Sequence, residues 1–374
     1  IRPWAYRALV LLVIACPCAI VLAAPVVTIS ALTRATRDGI LVKGAHHLET
    51  LGKIRTVAFD KTGTLTRGKL SITRVLAAEG VTEDEVVRLA GAVEAGSAHP
   101  VAEAIRHEAR RRGVALAARG TVARTLEVFG GRGVSAEVEG TRVFVGNRRL
   151  FEEIGVRLPA LDALLPEGGE EASRMASFVG MRGEMAGVLE MKDELRDEAP
   201  FAIRSLGALG VDHVVMLTGD RSDVARATAA AVGIREVFFE LLPEEKLEKV
   251  RELVGRYGTV AMVGDGVNDA PALALSSVGI AMGAAGSPVA IETADVALMT
   301  EDLRKIPAAI VLGRRMVTII RQNVAYSLAI KAGFVVLAVA GYATLWMAVA
   351  ADMGTTLLVI GNGLRLLRNR GTPV

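Results

Sequence analysis

From Ala8 to Leu32 the chain carries no charged residue, and that run exceeds the roughly 20 apolar residues a helix needs to cross the hydrocarbon of a bilayer. In lipid the backbone must satisfy its own hydrogen bonds, so such a run is confined to a helix. Two further apolar runs, Val324 to Ala340 and Ala343 to Gly361, are separated by a short turn around Gly341. Membrane helices are therefore expected over 4–33, 313–340 and 342–366. Basic residues gather after the first run (Arg34, Arg37, Lys43), before the second (Arg314, Arg315, Arg321) and after the third (Arg365, Arg368, Arg370). By the positive-inside rule these ends face the cytoplasm, which leaves Arg2 and Arg7 outside. A cleaved signal peptide is the competing reading of the first run; its length, its internal prolines and the lack of a cleavage context speak against it. A net charge of +3 offers no electrostatic case for a nucleic-acid partner. Membrane lipid is the expected surrounding.

Between Lys43 and about Lys305 the composition is that of a soluble block. "TVAFD" (Thr56 to Asp60), "HVVMLTGD" (His213 to Asp220) and "TVAMVGDG" (Thr259 to Gly266) are short apolar runs that reach an Asp at or near their ends, with helical stretches between the last two. Runs of this kind are buried parallel strands, so the fold class is α/β with membrane helices, built on a doubly wound sheet. Ligands of such sheets sit at the carboxyl ends of the strands, and three aspartates converge there. The stretch between the first and second strands is too long for a crossover. An inserted α+β domain is expected over 73–187, with the sheet domain over 54–72 and 188–306; "TEDEVVRLAGAVEA" (Thr82 to Ala95) supplies a helix and "VSAEVEGTRVFVGN" (Val134 to Asn147) strands.

Asp60 opens "DKTGTLT", whose small and hydroxylated residues make a tight turn that leaves the carboxylate accessible. A carboxylate so placed can act as a nucleophile. An acyl-phosphate intermediate then needs a divalent ion, a second acid to hold it and a cation on the phosphoryl oxygens. Asp265 and Asp269 in "GDGVNDAP" can serve the metal, Thr218 in "TGD" can donate to phosphate, and Lys246 in "PEEK" can supply the positive charge.

"DKTGTLT", "TGD" and "MVGDGVNDAPAL" in this order resemble the phosphorylation domain of P-type ATPases, a branch of the haloacid-dehalogenase-like hydrolases. The resemblance implies that Asp60, followed by Lys61 and Thr62, is phosphorylated by ATP, and that Mg2+ is held by Asp60, the main-chain carbonyl of Thr62 and Asp265. It implies that Thr218, Gly219, Asp220 and Lys246 surround the phosphoryl group, with Asn268 and Asp269 completing the site. The inserted domain is similar to the nucleotide-binding domain of the heavy-metal pumps through Glu94 and His99 in "EAGSAHP", Gly131 and Gly133 in "GGRGV", and Asn147 in "VGN". Glycines let a backbone approach a nucleotide closely, and an imidazole can stack on a purine.

The first apolar run contains "VIACPCAIVLAAPVV", with both cysteines of the chain and two prolines. Pro17 has no N-H, so the carbonyl of Val13 is expected to lose its helical partner, a defect costing roughly 3 kcal/mol or more in a helix interior. Residues two apart on an ideal helix point about 200° away from each other, so Cys16 and Cys18 could not share an ion without unwinding. Unwinding there brings freed carbonyls and two reduced thiols together as a site for Zn2+, Cd2+, Pb2+ or Cu+. Lys331 and Asp352 are also intramembrane polar residues, each costing roughly 2.5 to 3.5 kcal/mol at the bilayer centre. Asp352 is expected as an oxygen ligand and Lys331 as its charge partner, with snorkelling of Lys331 to an interface as the alternative. Met353 is expected to pack or face lipid rather than to bind. A carboxylate beside sulfur fits a borderline divalent ion better than Cu+. "CPC" is also the transport signature of the heavy-metal pumps, and the Lys with the Asp-x-Gly arrangement resembles the zinc, cadmium and lead exporters. Copper pumps carry Tyr-Asn at Ile330 and Lys331, and a Met with Ser-Ser where this chain has "DMGTT".

The family's full pumps also have an actuator domain and additional helices before the CPC helix, so the resemblance covers about their C-terminal half. The missing N-terminal half is then the expected partner, and the chain reads as a fragment or incomplete gene product. The expected activity is ATP-driven export of a divalent soft metal through an aspartyl phosphate. Copper export, or an uncoupled membrane-tethered remnant, are the alternatives. Short loops and heavy use of Ala, Arg and Gly point to a bacterial plasma membrane. His46 and His47, just past the first run, are expected in a solvated loop.

Overall fold

The computed structural model describes residues 2–97, 99–116, 124–129, 132–156, 175–181, 183–220, 222–265, 269–283 and 288–368. Gly131 and Asn268, both singled out above, lie outside them. The chain forms two compact units, Ile1–Asp60 with Glu198–Met216 and Leu242–Val374, and Lys61–Asp197 with Leu217–Leu241.

The first unit begins with α1 (Arg2–Ala15) and α2 (Cys18–Arg37), interrupted where Pro17 withholds its N-H. Ala5–Arg37, Lys305–Val339 (α12) and Leu345–Arg368 (α13) are long and apolar enough to cross a membrane. Small residues let these helices approach closely: Ala19 and Ala23 of α2 pack on Val359 of α13 and Val324 of α12. On α1, Val10 and Ile14 pack against Ala338 and Ala348. At 1.5 Å per residue α12 is about 50 Å long, well beyond the hydrocarbon thickness of about 30 Å, so its charged first part extends past the apolar segment.

That extension is fastened to the sheet domain. After β1 (Ile40–Val42), helix α3 (Ala45–Gly52) leads into β2 (Thr56–Asp60). A Cβ on Gly313 of α12 would lie 2.3 Å from the carbonyl oxygen of Leu48 and 2.8 Å from the nitrogen of Gly52, so only glycine permits this contact between the helices. His46 and His47 open α3 rather than a loop, because their backbone continues the helical turn that starts at Gly44, and His47 Nε2 lies 3.4 Å from Asp295.

The unit's strands run in the order β1-β13-β12-β11-β2-β9, with β9 (His213–Leu217), β11 (Val260–Gly264), β12 (Val278–Ala281) and β13 (Val296–Leu298). β2, β11, β12 and β13 are parallel neighbours, and β1 closes the edge antiparallel to β13. Every residue of β2 and β11 is buried, the reason those strands read as continuous apolar runs. Helices α7 (Ala199–Ala208), α9 (Pro243–Tyr257), α10 (Ala270–Leu275) and α11 (Pro288–Thr293) complete the α/β pattern. Val263 stands opposite Phe59, which sets Gly264 level with Asp60 and places Asp265 just past it.

The second unit holds an antiparallel sheet of six strands in the order β3-β8-β7-β6-β5-β4. These are β3 (Thr66–Ala77), β4 (Arg124–Phe129), β5 (Gly133–Val138), β6 (Thr141–Gly146), β7 (Met175–Met181) and β8 (Glu184–Leu195). Helices α4 (Glu83–Val93) and α5 (Pro100–Arg112) bury Val86, Ala90 and Ile105 against Ala136, Val143 and Leu189. Helix α6 (Arg148–Glu153) contributes Leu150 and Phe151 to a separate apolar cluster with Phe178 and Val188. The unit also includes α8 (Ser222–Val232) and β10 (Glu236–Phe238). Thr82 caps α4 by accepting from the N-H of Glu85 at 3.3 Å, the role its sequence position suggests.

Candidate phosphoryl-transfer and metal sites

Asp60 ends β2, 5% exposed, and accepts a hydrogen bond from Lys246 Nζ at 2.6 Å. Lys246 lies in the first turn of α9 and also donates to Asp269 Oδ1 at 3.0 Å. Burial pushes the Asp60 carboxyl up to about 7; the carboxylates of Asp269 and Asp265 add to the rise, and Lys246 opposes it. Burial likewise raises Asp269. Lys246 is raised as well: desolvation works against its charge, but Asp60 and Asp269 outweigh it. Asp269 Oδ2 is buried without a hydrogen-bond partner, and a Cβ on Gly264 would approach it to 2.7 Å. An all-oxygen set with surplus negative charge and an unsatisfied oxygen suits a hard cation such as Mg2+.

In the second unit the "KTGTL" turn after Asp60 is held by residues that sequence reading passed over. Arg196, 3% exposed, donates from Nε to the carbonyl of Thr64 at 2.9 Å, from Nη2 to that of Gly63 at 3.2 Å, and from its backbone to that of Leu65 at 3.0 Å. The Thr66 hydroxyl donates to Asp193 Oδ2 at 2.6 Å and accepts from the N-H of Gly63 at 3.2 Å. Lys61 Nζ is ion-paired with Asp220. Thr218, 2% exposed, accepts from the N-H of Asp220 at 3.1 Å, while its own N-H donates to the carbonyl of Phe238 at 3.0 Å. Within "KDELRDE" the ordinary reading of Arg196 is a solvated charge, and no local spacing ties it to a turn far away in sequence. Arg196→Ala is expected to cost about 2 to 4 kcal/mol, because the guanidinium's charged hydrogen bonds to the carbonyls of Thr64 and Gly63 are lost while the backbone bond to Leu65 remains. Thermal melting checks this, with Arg196→Lys recovering only part.

The residues compared with a nucleotide site lie at element ends of the same unit. Glu94 follows α4, buried, with Oε2 unpaired. His99 caps α5, its Nδ1 accepting from the N-H of Val101 at 3.3 Å; in the neutral ring the proton is then on Nε2. Gly133 has φ +153° and faces Gly146 across the β5–β6 ladder, where a Cβ would come within 2.3 Å of the carbonyl of Val145. Asn147 caps α6, accepting from the N-H of Leu150 at 3.2 Å.

In the membrane helices the donor atoms of Cys16, Cys18 and Asp352 all lie within 4.8 Å of one another. Lys331 Nζ is 3.5 Å from Asp352 Oδ1. Two details differ from expectation. The carbonyl of Val13 is not released, because the N-H of Cys16 bonds to it at 3.2 Å in a tightened last turn. The freed acceptors are Ile14, which takes Lys331 Nζ at 2.9 Å, and Cys16, whose carbonyl takes the same ammonium. The second concerns the sulfurs. Cys16 and Cys18, expected as reduced thiols, are joined as a disulfide with a Cα–Cα distance of 5.7 Å, since unwinding at Pro17 turns both side chains to one side. Met353 is 64% exposed and Asp352 Oδ1 is buried without a hydrogen bond.

Residues 54–276 match the haloacid dehalogenase-like hydrolases. The cadmium-transporting ATPase of Staphylococcus aureus is 40% identical over 371 residues, 98% of this chain and 50% of that protein. The zinc-transporting ATPase of Synechocystis sp. is 40% identical over 367 residues, 98% of this chain and 49% of that protein. Among solved structures, a zinc-transporting PIB-type ATPase in the E2.Pi state superposes with a TM-score of 0.86 at 41% identity, covering 98% of this chain and 58% of that one. The chain spans about half the length of the curated relatives it matches.

Proposed function

The chain belongs to the haloacid dehalogenase-like hydrolases, and on that premise we propose that it is the catalytic and ion-binding portion of an ATP-driven exporter of divalent soft metal ions, Zn2+, Cd2+ or Pb2+. The observation that carries the reading is the convergence of Cys16, Cys18 and Asp352 beside Lys331 in a chain that also places Asp60 at the end of a buried parallel strand. The relatives named as cadmium and zinc transporters support it, and a carboxylate beside the sulfurs disfavours Cu+. By the positive-inside rule, the basic ends of the helices support a cytoplasmic position for the sheet domain and the inserted domain.

In this reading an Asp60 carboxylate oxygen attacks the γ-phosphorus of ATP; the new P–O bond forms as the bond to the β-phosphate oxygen breaks and ADP leaves. Water then attacks the phosphorus, releasing inorganic phosphate and restoring the carboxylate. Asp60, Asp265 and the carbonyl of Thr62 would hold Mg2+, which supplies charge neutralisation on the phosphoryl oxygens when bound. Lys246 keeps Asp60 aimed and offsets its charge. Lys61, Thr218, Gly219, Asp220, Asn268 and Asp269 serve the phosphoryl group, and Glu94, His99, Gly131, Gly133 and Asn147 the nucleotide. At the cargo site the reduced cysteine pair and Asp352 bind the ion, and Lys331 balances Asp352 when the ion departs.

The test is phosphoenzyme formation from radiolabelled ATP in membranes, with and without Zn2+, Cd2+ or Cu+ and under reducing conditions. Label is expected to rise with Zn2+ or Cd2+ and to lose that dependence in Cys16→Ala and Asp352→Ala. Labelling indifferent to metal in the parent chain would instead mark an uncoupled remnant.

A further inference from the structure

Where the charges gather at one end of the membrane helices, α12 and α13 border an open cavity of about 440 Å³ beside Leu209. Arg314, Arg315 and Arg365 line it with Thr318 and Gln322, and among the described residues none of its lining is acidic. Two of the three guanidiniums are positioned by neutral oxygens. Arg314 donates from Nε to the carbonyl of Gly52 at 3.2 Å and from Nη1 to that of Leu209. Arg365 donates to Asn362 Oδ1 at 3.0 Å, and Asn362 in turn to Asn323 Oδ1 at 2.8 Å, which roots it in the seam between the two helices. Carbonyl and amide oxygens orient a cation without neutralising it, so these bonds prepare the charge for an anion.

The depth of the cavity identifies the anion. At 1.5 Å per residue, Gln322 lies about 3 Å and Arg315 about 14 Å before the apolar run that starts at Val324, and Arg365 about 6 Å past the run that ends at Gly361, so the cavity spans the interfacial layer. Head groups occupy the roughly 5 to 8 Å on each side that separate the hydrocarbon from water. Ile319 and Leu366 add apolar surface to its lining at about the level of Arg365; a soluble anion gains nothing from such a surface, whereas an acyl chain does. Arginine forks match phosphate oxygens, and basic pockets between membrane helices on the cytoplasmic side suit anionic head groups. We propose that this cavity binds the phosphate head group of an anionic phospholipid. The proposal rests on the membrane-spanning reading of the helices but not on metal transport.

The experiment compares full-length chain in nanodiscs of phosphatidylcholine with and without phosphatidylglycerol, released into mild detergent for native mass spectrometry of retained lipid. Phosphatidylglycerol is expected to be retained over phosphatidylcholine. Retention falls roughly tenfold or more in Arg315→Gln/Arg365→Gln, the loss expected of two interfacial guanidiniums, and is unchanged in Arg321→Gln, an exposed control outside the cavity. Equal retention of the two lipids, an equal loss in Arg321→Gln, or displacement by millimolar inorganic phosphate each overturns the proposal, the last assigning the cavity to a soluble anion. The comparison between lipids needs only the parent chain, so a poorly folded variant does not decide it. Extraction of the chain by alkaline carbonate would overturn the membrane-spanning reading along with it; firm insertion without anionic preference overturns this proposal alone.

Discussion

Asp60→Asn is expected to abolish labelling by ATP while raising the melting temperature at pH 8. The first effect follows from removing the nucleophilic carboxylate. The second follows from linkage. Burial and the neighbouring carboxylates raise Asp60 from 3.8 to about 7, so the folded chain holds that proton more tightly than the unfolded one. Stability from this group is therefore present below about pH 4 and is lost as pH rises through about 7. The displacement corresponds to at most about 4 kcal/mol, and Lys246 gives part of it back when it loses one of two carboxylate partners. A net gain of about 2 kcal/mol at pH 8, fading toward pH 4, is the expected result by calorimetry. A variant that loses label and also melts lower at pH 8 would show that the Asp60 charge is compensated in the fold, contrary to the account given for it.

Lys331→Met is expected to destabilise the membrane helices by about 3 to 5 kcal/mol, the cost of removing one partner of a buried ion pair. The ammonium donates to two carbonyls, that of Ile14 at 2.9 Å and that of Cys16, and is ion-paired with Asp352 at 3.5 Å. Asp352→Asn is expected to cost less, because the cation keeps both carbonyls. Combining the two removes both charges, so the double variant should fall short of the summed cost by about 1 to 3 kcal/mol. Melting of the four proteins in one detergent measures the coupling. Strict additivity would mean that Lys331 acts on the carbonyls alone and that its closeness to Asp352 is incidental.

Much of this site was legible because its signals are local. Strands β2, β9 and β11 coincide closely with the apolar runs, since the middle of a strand covered on both faces is almost entirely apolar. The break between α1 and α2 follows from one missing N-H, which no tertiary context can restore. The parallel register of β2 and β11 sets Asp60 level with the end of β11, and α9 delivers Lys246 to both Asp60 and Asp269. The details that escaped are those in which a group chooses among distant partners.

The sequence by itself determined which helices are long and apolar enough to cross a membrane, where the first of them must break and which strand ends carry carboxylates, because backbone chemistry and hydrophobic periodicity act over a few residues. Only the tertiary structure decided who satisfies the broken helix. Lys331, on another helix, supplies the donor that Pro17 withholds, to the carbonyls of Ile14 and Cys16 rather than to that of Val13. The same holds for Arg196, whose guanidinium secures the turn after Asp60 from the far end of β8, and for the arginines that meet where α12 and α13 converge. A long cationic side chain reaches several positions at similar conformational cost, so its partner is fixed by packing and not by its neighbours in sequence.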